Sequence, residues 1–397
     1  VRDAVIVDAV RTAVGKGKPG GALSGIHPTD LLALTLEALV SRSGLDPAVV
    51  DDVIAGCVSQ VGEQSTNIAR QALLGAGFPE HVPGTTIDRQ CGSSQQAAAF
   101  AAQAVMSGFQ DVVIACGVES MSRVPLGAAA RGQDASGTKA RARYPEGLVH
   151  QGVSAELIAA RWGFSRAQLD DYSAQSHQRA AQAIAEGSFD AELIPIEVTD
   201  AAGTVRVHRI DETVRAATTA RALAELPVSF RDERYERRFP QIDWKITPGN
   251  SSPLSDGASA ALITSSETAE RLGLRPRARF VSFQAVGDDP LLMLTGPLPA
   301  TAKVLDRSGL SIGDIDVFEV NEAFAPVPLA WLAETGADPA RLNPLGGAIA
   351  LGHALGSSGT RLLATLVNRL EATGGRYGLQ TMCEGGGMAN ATVIERI

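Results

Sequence analysis

Four short stretches carry the side chains best suited to covalent chemistry. In "TIDRQCGSS" Cys91 stands at the mouth of a helix built almost wholly from small residues, and in "NEAFAP" a β-type run ends in polar Asn321 and Glu322. In "GGAIALGHALGSSG" His353 is the only ionisable side chain, and in "CEGGGMANA" Cys383 precedes three glycines. A free thiol with a pKa of about 8.5 is only slightly ionised at neutral pH, so a nucleophilic cysteine needs a base or a positive dipole beside it. A helix N-terminus supplies such a dipole, which predicts a thiolate at Cys91. The end of a strand in an α/β sheet is where ligands usually bind, and glycines leave backbone N–H groups free to hold an oxyanion. Singly, each stretch has a plain reading: a small core thiol, a flexible turn, a buried histidine.

The rest of the composition narrows the setting. A chain of 397 residues with 45% apolar and only 5% aromatic residues predicts tight Ala/Val/Leu packing of helices on sheets. A formal net charge of −9 offers no basic patch for a nucleic acid backbone. No run approaches the roughly 20 apolar residues that span a bilayer, and the first residues lead into a strand, so a cytoplasmic protein is expected. The four cysteines, Cys57, Cys91, Cys116 and Cys383, show neither a disulfide framework nor a zinc spacing. Cys57 and Cys116 end apolar β-type runs and read as inert packing.

The elements that must position these groups follow from periodicity. Short β-branched runs alternate with helical patterns in the first and last thirds, predicting an α/β architecture with crossover helices. Residues 121–250 read differently, with a loop-like "RGQDASGTKARARYPEG", a solvated helix from about Ser165 to Glu186 and a charged "FRDERYERRFPQIDWK", and they are taken as an insertion. The outer thirds repeat each other's order: "DDVIAG" precedes the Cys91 turn, its helix and "DVVIACGVES", as "IDVFEVNEAF" precedes the His353 turn, its helix and "LQTMCEGGG". A duplication about a pseudo-twofold axis would set Cys91 and His353 on facing helix N-termini, with the Ala-rich helix buried between layers.

In combination and in this order, the motifs resemble the thiolases, the acyl-CoA:acetyl-CoA acyltransferases, from "VIVDAVRTAVGK" to "CEGGGMANATVIERI". The resemblance implies an α/β thiolase fold, five layers αβαβα from two duplicated halves, with residues 1–120 and about 251–275 as the N-terminal half, 121–250 as a loop domain and 276–397 as the C-terminal half. It implies Cys91 as acyl-accepting nucleophile, His353 as its base and Cys383 as acid/base. It also implies Asn321 in one oxyanion hole and the N–H groups of Cys91 and Gly385 in the other. Less directly, "HQGVSAE" places His150 beside the thioester and "GNSSPLSDGASA" places Ser252 on coenzyme A, where a helix N-cap is the bland alternative. Coenzyme A is a substrate in this chemistry, and neither a metal nor an organic cofactor is implied. A homodimer is implied, a homotetramer being left open, without nucleic acid or membrane partners.

Departures from the family pattern are Ala354 after the histidine, Gln151, and Glu384 directly after the second cysteine. A carboxylate facing the site would oppose thiolate formation, so Glu384 is expected to point away or to meet a cation. "DRQCGSS", "HQG" and "QTMCEGGG" resemble actinobacterial thiolases that degrade sterol-type and other unusual acyl-CoAs, which predicts thiolysis of a bulky or polar 3-ketoacyl-CoA. The alternatives are a biosynthetic acetoacetyl-CoA-forming thiolase, a non-catalytic acyl-CoA-binding relative, and a β-ketoacyl synthase, which the second cysteine disfavours.

Overall fold

The computed structural model describes residues 2–199 and 203–397. Nine strands carry the architecture: β1 (Val5–Thr12), β2 (Asp52–Gly56), β3 (Gly84–Ile87), β4 (Val112–Ser120), β5 (Ser255–Thr264), β6 (Ala278–Gly287), β7 (Val317–Val320), β8 (Tyr377–Glu384) and β9 (Met388–Arg396). They lie side by side in the order β7-β8-β9-β6-β1-β5-β4-β2-β3. The order is mirrored about the β6–β1 junction. On one side β2 runs parallel to β4, which is antiparallel to β5, which is antiparallel to β1. On the other, β7 runs parallel to β8, which is antiparallel to β9, which is antiparallel to β6. Among the described residues, the strands of the two sets pair where Val5 and Ile6 meet Arg279 and Ala278.

The helices fill three layers around these sheets. Strands β4 and β5 are buried at every position, as strands covered on both faces must be. Helix α1 (Pro28–Ser43) covers the outer face of the first set through Leu31, Leu32, Leu36 and Leu39. Between the sets lies α2 (Ser93–Ser107), whose Ala97, Ala98, Ala101 and Ala102 share one core with Leu363, Leu366 and Val367 of the last helix. Small side chains on α2 let two sheets and a second helix approach it closely. Beyond the second set, Val304 and Trp331 of two further helices close the outer face. The five layers αβαβα that the sequence resemblance implies are thus built.

The segment from 121 to 250 contributes α3 (Gln151–Arg161) and α4 (Arg166–Ala185), followed in the chain by α5 (Pro297–Ser308), α6 (Pro326–Thr335) and α7 (Ser358–Thr373). Helix α4 begins where the sequence predicts, and a capping box between Ser165 and Gln168 closes that end. The stretch read as loop-like and the charged stretch, to which no element was assigned, each form one short helix, Gly137–Arg143 and Glu233–Arg238, because Lys, Arg, Glu and Ala favour helix wherever a turn starts. The arginines around Glu233–Arg238 pair with Glu236, Glu233 and Glu146 at the surface.

Buried polar ties hold this segment to the sheets. Glu322 accepts hydrogen bonds from Tyr172 Oη at 2.8 Å and Ser176 Oγ at 2.7 Å, both on α4. Arg11 on β1 donates to Glu192 at 2.5 Å and to Asp211 at 2.7 and 3.0 Å, all three side chains being buried. Among the described residues no helix is long and apolar enough to cross a membrane.

Candidate active site

The first turns of α2 and α7 meet backbone to backbone. Thr360 N donates to Ser94 Oγ at 3.0 Å, and a Cβ built on Gly359 would stand only 2.0 Å from Gln95 N. Glycine is required there by this approach. Cys91 lies just before α2 and His353 just before α7, so the contact brings their turns to one place. Leu355, two residues past His353, packs in the same small apolar cluster as Cys91, Met121, Leu362 and Met382. The expectation of facing helix N-termini holds.

The His353 ring is held at both nitrogens. Nδ1 lies 2.7 Å from Ser358 Oγ, whose own hydroxyl reaches Ala354 O at 2.8 Å, while Nε2 lies 3.3 Å from Asn321 Nδ2. With the serine proton committed to Ala354 and an amide donor at Nε2, the network assigns the hydrogen to Nδ1 and leaves Nε2 as acceptor. The backbone N–H of His353 is tied to Ser255 Oγ at 3.0 Å. Burial, with a smaller push from the Arg361 guanidinium, lowers the imidazole to about 3 and keeps it neutral.

Cys91 sits between opposing influences. Burial pushes its thiol up to about 12, and the fields of Glu384 and Glu119 act in the same direction, whereas its own N–H and that of Gly385 favour the thiolate. The thiolate predicted from the helix dipole is therefore corrected: the resting side chain is a thiol, because a buried anion costs more than a helix end and two N–H groups return. Cys383 is fully buried and held well above its ordinary value by burial first and then by the fields of Cys91 and Glu384, so it keeps its proton. The two thiols lie within each other's field.

Of the polar pair ending β7, only Asn321 faces His353, since Glu322 is taken up in tying α4 to the sheet. Ser252 is half-buried and donates its N–H to Ala323 O at 3.0 Å, running the "GNSSPLS" segment along "NEAF". No helix follows it, so the N-cap reading of Ser252 fails and β5 begins at Ser255 instead. His150 is exposed and caps α3 by accepting from Gly152 N. It is linked to the site by rings: His150 on Phe230 at 5.3 Å, and Phe230 edge-on to Phe324 at 6.1 Å.

Glu384 departs from expectation. It neither points away nor meets a cation: it is fully buried against Gly92, and neither carboxyl oxygen receives a hydrogen bond. Gly385 follows it, half-buried, and a Cβ there would stand 2.9 Å from Gln90 Oε1.

Three further residues shape the site without having been picked out of the sequence. Glu119 accepts from Val58 N, Ser59 N, Gln64 Nε2 and Gly356 N at 2.7 to 3.1 Å, clamping the end of β4 to the His353 turn. Gln90 adopts φ 49°, the left-handed turn that aims Cys91. Ser358 orients the imidazole; a serine five residues after a histidine in a glycine-rich turn was its only visible sign. Among the described residues no three His, Cys, Asp or Glu side chains gather as a metal site requires.

Known proteins resemble this chain along its whole length. The thiolase N-terminal domain family matches residues 4–267 and the thiolase C-terminal domain family residues 274–396. The chain is 48% identical to a steroid 3-ketoacyl-CoA thiolase, FadA6, of Mycobacterium tuberculosis, covering 100% of this chain and 94% of that protein. It is 42% identical to a β-ketoadipyl-CoA thiolase of Escherichia coli, covering 100% of both. In structure it resembles the acetyl-CoA acetyltransferase of Bacillus anthracis with a TM-score of 0.89 at 36% identity, over 100% of this chain and 99% of the other. Matched from end to end in sequence and in fold, the chain belongs to the thiolase family.

Proposed function

We propose that this thiolase cleaves a 3-ketoacyl-CoA, with coenzyme A as co-substrate, through an acyl group carried on Cys91. The observation that supports the reading is a pair of buried thiols within one another's field, together with a neutral imidazole whose Nε2 is an acceptor and whose turn packs through Leu355 in the same cluster as Cys91. His353 Nε2 takes the Cys91 proton as sulfur attacks the 3-keto carbon, so charge forms only as the bond does. The C2–C3 bond breaks, its electron pair passes to the departing acetyl-CoA enolate, and Cys383, kept protonated by its surroundings, delivers a proton to C2. Cys383 then accepts the thiol proton of incoming CoA, whose sulfur attacks the acyl thioester. Cys91 departs and recovers its proton from His353. The N–H groups of Cys91 and Gly385 serve as oxyanion donors, each worth about 3 kcal/mol, and Asn321 serves the second hole beside His353.

His150 and Ser252 bind the acyl-CoA in this reading, His150 through the ring chain to Phe324 and Ser252 along the end of β7. The names of the relatives support a bulky or carboxylated acyl group over acetoacetyl-CoA. The mirrored strand order supports residues 1–120 with about 251–275 as one half, 276–397 as the other and 121–250 as the loop domain. The enzyme acts in the cytoplasm as a homodimer or homotetramer, without a cofactor of its own.

The test is thiolysis by wild type and Cys91→Ser across acetoacetyl-CoA, long-chain, sterol-type and carboxylated 3-ketoacyl-CoAs, with intact-mass detection of the acyl-enzyme. Turnover confined to wild type, an adduct on Cys91 and a preference for the larger or charged substrates are expected. Full thiolysis by Cys91→Ser refutes the assignment of roles, and a clear preference for acetoacetyl-CoA refutes the substrate class.

A further inference from the structure

Side chains alternate along a strand, so Cys383 and Glu384 leave β8 on opposite faces. Glu384 turns to the start of α2. A Cβ built on Gly92 would stand 1.9 Å from Oε1, so the carboxyl lies in the space that only a glycine leaves, against the residue that follows Cys91. Asn390 closes the same spot, donating from Nδ2 to Gly92 O at 3.3 Å. Both Glu384 oxygens are buried and unpartnered, and no ion pair reaches them. The charged and titratable groups around are Arg89 and Asp88 in the turn before α2, the thiols of Cys91 and Cys383, Glu119 on the side of β4, and Arg307 of α5, which shares a groove with Asn390. An ionised carboxylate held this way, without donors, is strongly disfavoured, and the neutral acid far less so. Burial accordingly pushes Glu384 up to about 9, the pull of Arg89 being opposed by Asp88.

We propose that Glu384 is a positioning residue for the nucleophile: as the neutral acid it seats the Cys91–Gly92 turn on β8 and leaves the helix end and the Cys91 and Gly385 N–H groups to stabilise anionic sulfur and oxygen. As the carboxylate it sets a negative charge at the same helix end and opposes both. The inference rests on Cys91 being the nucleophile. It explains how a carboxyl is tolerated next to the second catalytic cysteine, and it makes the ionisation of Glu384 an alkaline brake on the first half-reaction.

The experiment follows Cys91 alkylation by iodoacetamide from pH 7.5 to 10.5, read by peptide mass spectrometry, in wild type, Glu384→Gln and Glu384→Met, with thiolysis kcat/KM over the same range. The ratio of the Glu384→Gln rate to the wild-type rate should grow about tenfold across the range, equivalent to one pKa unit on the thiol. The alkaline fall of kcat/KM should move to higher pH in the same variant, and Glu384→Met should match it. A ratio constant with pH overturns the proposal, because Glu384 is then either ionised throughout or without influence on Cys91. Failure of both variants to fold also overturns it, since the residue is then structural only. Alkylation reads the field at Cys91 whether or not acyl transfer uses that thiol, whereas an acyl-enzyme carried elsewhere sinks the parent reading alone.

Discussion

Replacing Gly359 by alanine tests the geometric centre of the site, the contact of two helix starts. The added Cβ would meet Gln95 N at 2.0 Å and Gln95 Cα at 2.7 Å, where real Cβ contacts rarely fall below 3.0 Å. Backbone cannot rotate aside as a side chain tip can, so α7 and α2 must separate by about 1 Å at this point. The overpacking costs ~1–3 kcal/mol of stability, which a fold with three packed helical layers should survive. Catalysis should suffer more, because Cys91 precedes one helix and His353 the other: a displacement of about 1 Å between reacting groups costs on the order of 100-fold. The expected outcome is a folded enzyme by circular dichroism, with a lowered melting temperature and thiolysis kcat reduced about 100-fold. Cys91 should still be alkylated, since its own turn is intact. A folded variant with kcat within threefold of wild type would refute the argument that this contact sets the distance between nucleophile and base.

Two further outcomes follow from buried charge. Arg11→Ala leaves Glu192 and Asp211 without their shared cation, and loss of one partner from a buried cluster should lower the unfolding free energy by about 3–5 kcal/mol in urea titrations; an unchanged midpoint would contradict the account of how Glu192 and Asp211 are tied to β1. His177 on α4 accepts from Arg215 N at 3.2 Å, and burial followed by the Arg215 charge lowers it to about 4 from an ordinary 6.5. A group lowered on folding stabilises the fold fully above the unfolded value and progressively less as pH falls from 6.5 towards 4, with His353 acting in the same direction. Wild type should therefore lose melting temperature between pH 7 and 4.5, and His177→Gln should lose less; equal losses would show that the ring does not titrate as described.

Much of the fold was legible from local pattern. Runs such as "VVIACGV" are apolar throughout because both faces of the strand are covered, and that signature survives in sequence. The capping box at Ser165 and Gln168 is likewise a local device, so the start of α4 could be read directly. The short helices Gly137–Arg143 and Glu233–Arg238 were missed, because neither buries an apolar face and composition there resembles a solvated loop.

The thiols, the imidazole and the glycines around them were also visible, since covalent chemistry restricts which residue types serve and the motifs keep their order along the chain. What the sequence by itself determined was therefore the parts and the family, including the repeated strand-turn-helix that carries Cys91 and His353. Only the tertiary structure decided their states. Cys91 is a thiol and His353 neutral because burial, a property of the packed layers, outweighs the local dipole. Glu384 faces the nucleophile because α2 presents a bare glycine to the strand on which it sits, and Glu119 clamps the His353 turn although it lies 237 residues away in the chain. Dielectric environment and long-range contact are set by which surfaces exclude water together, and one-dimensional spacing carries neither.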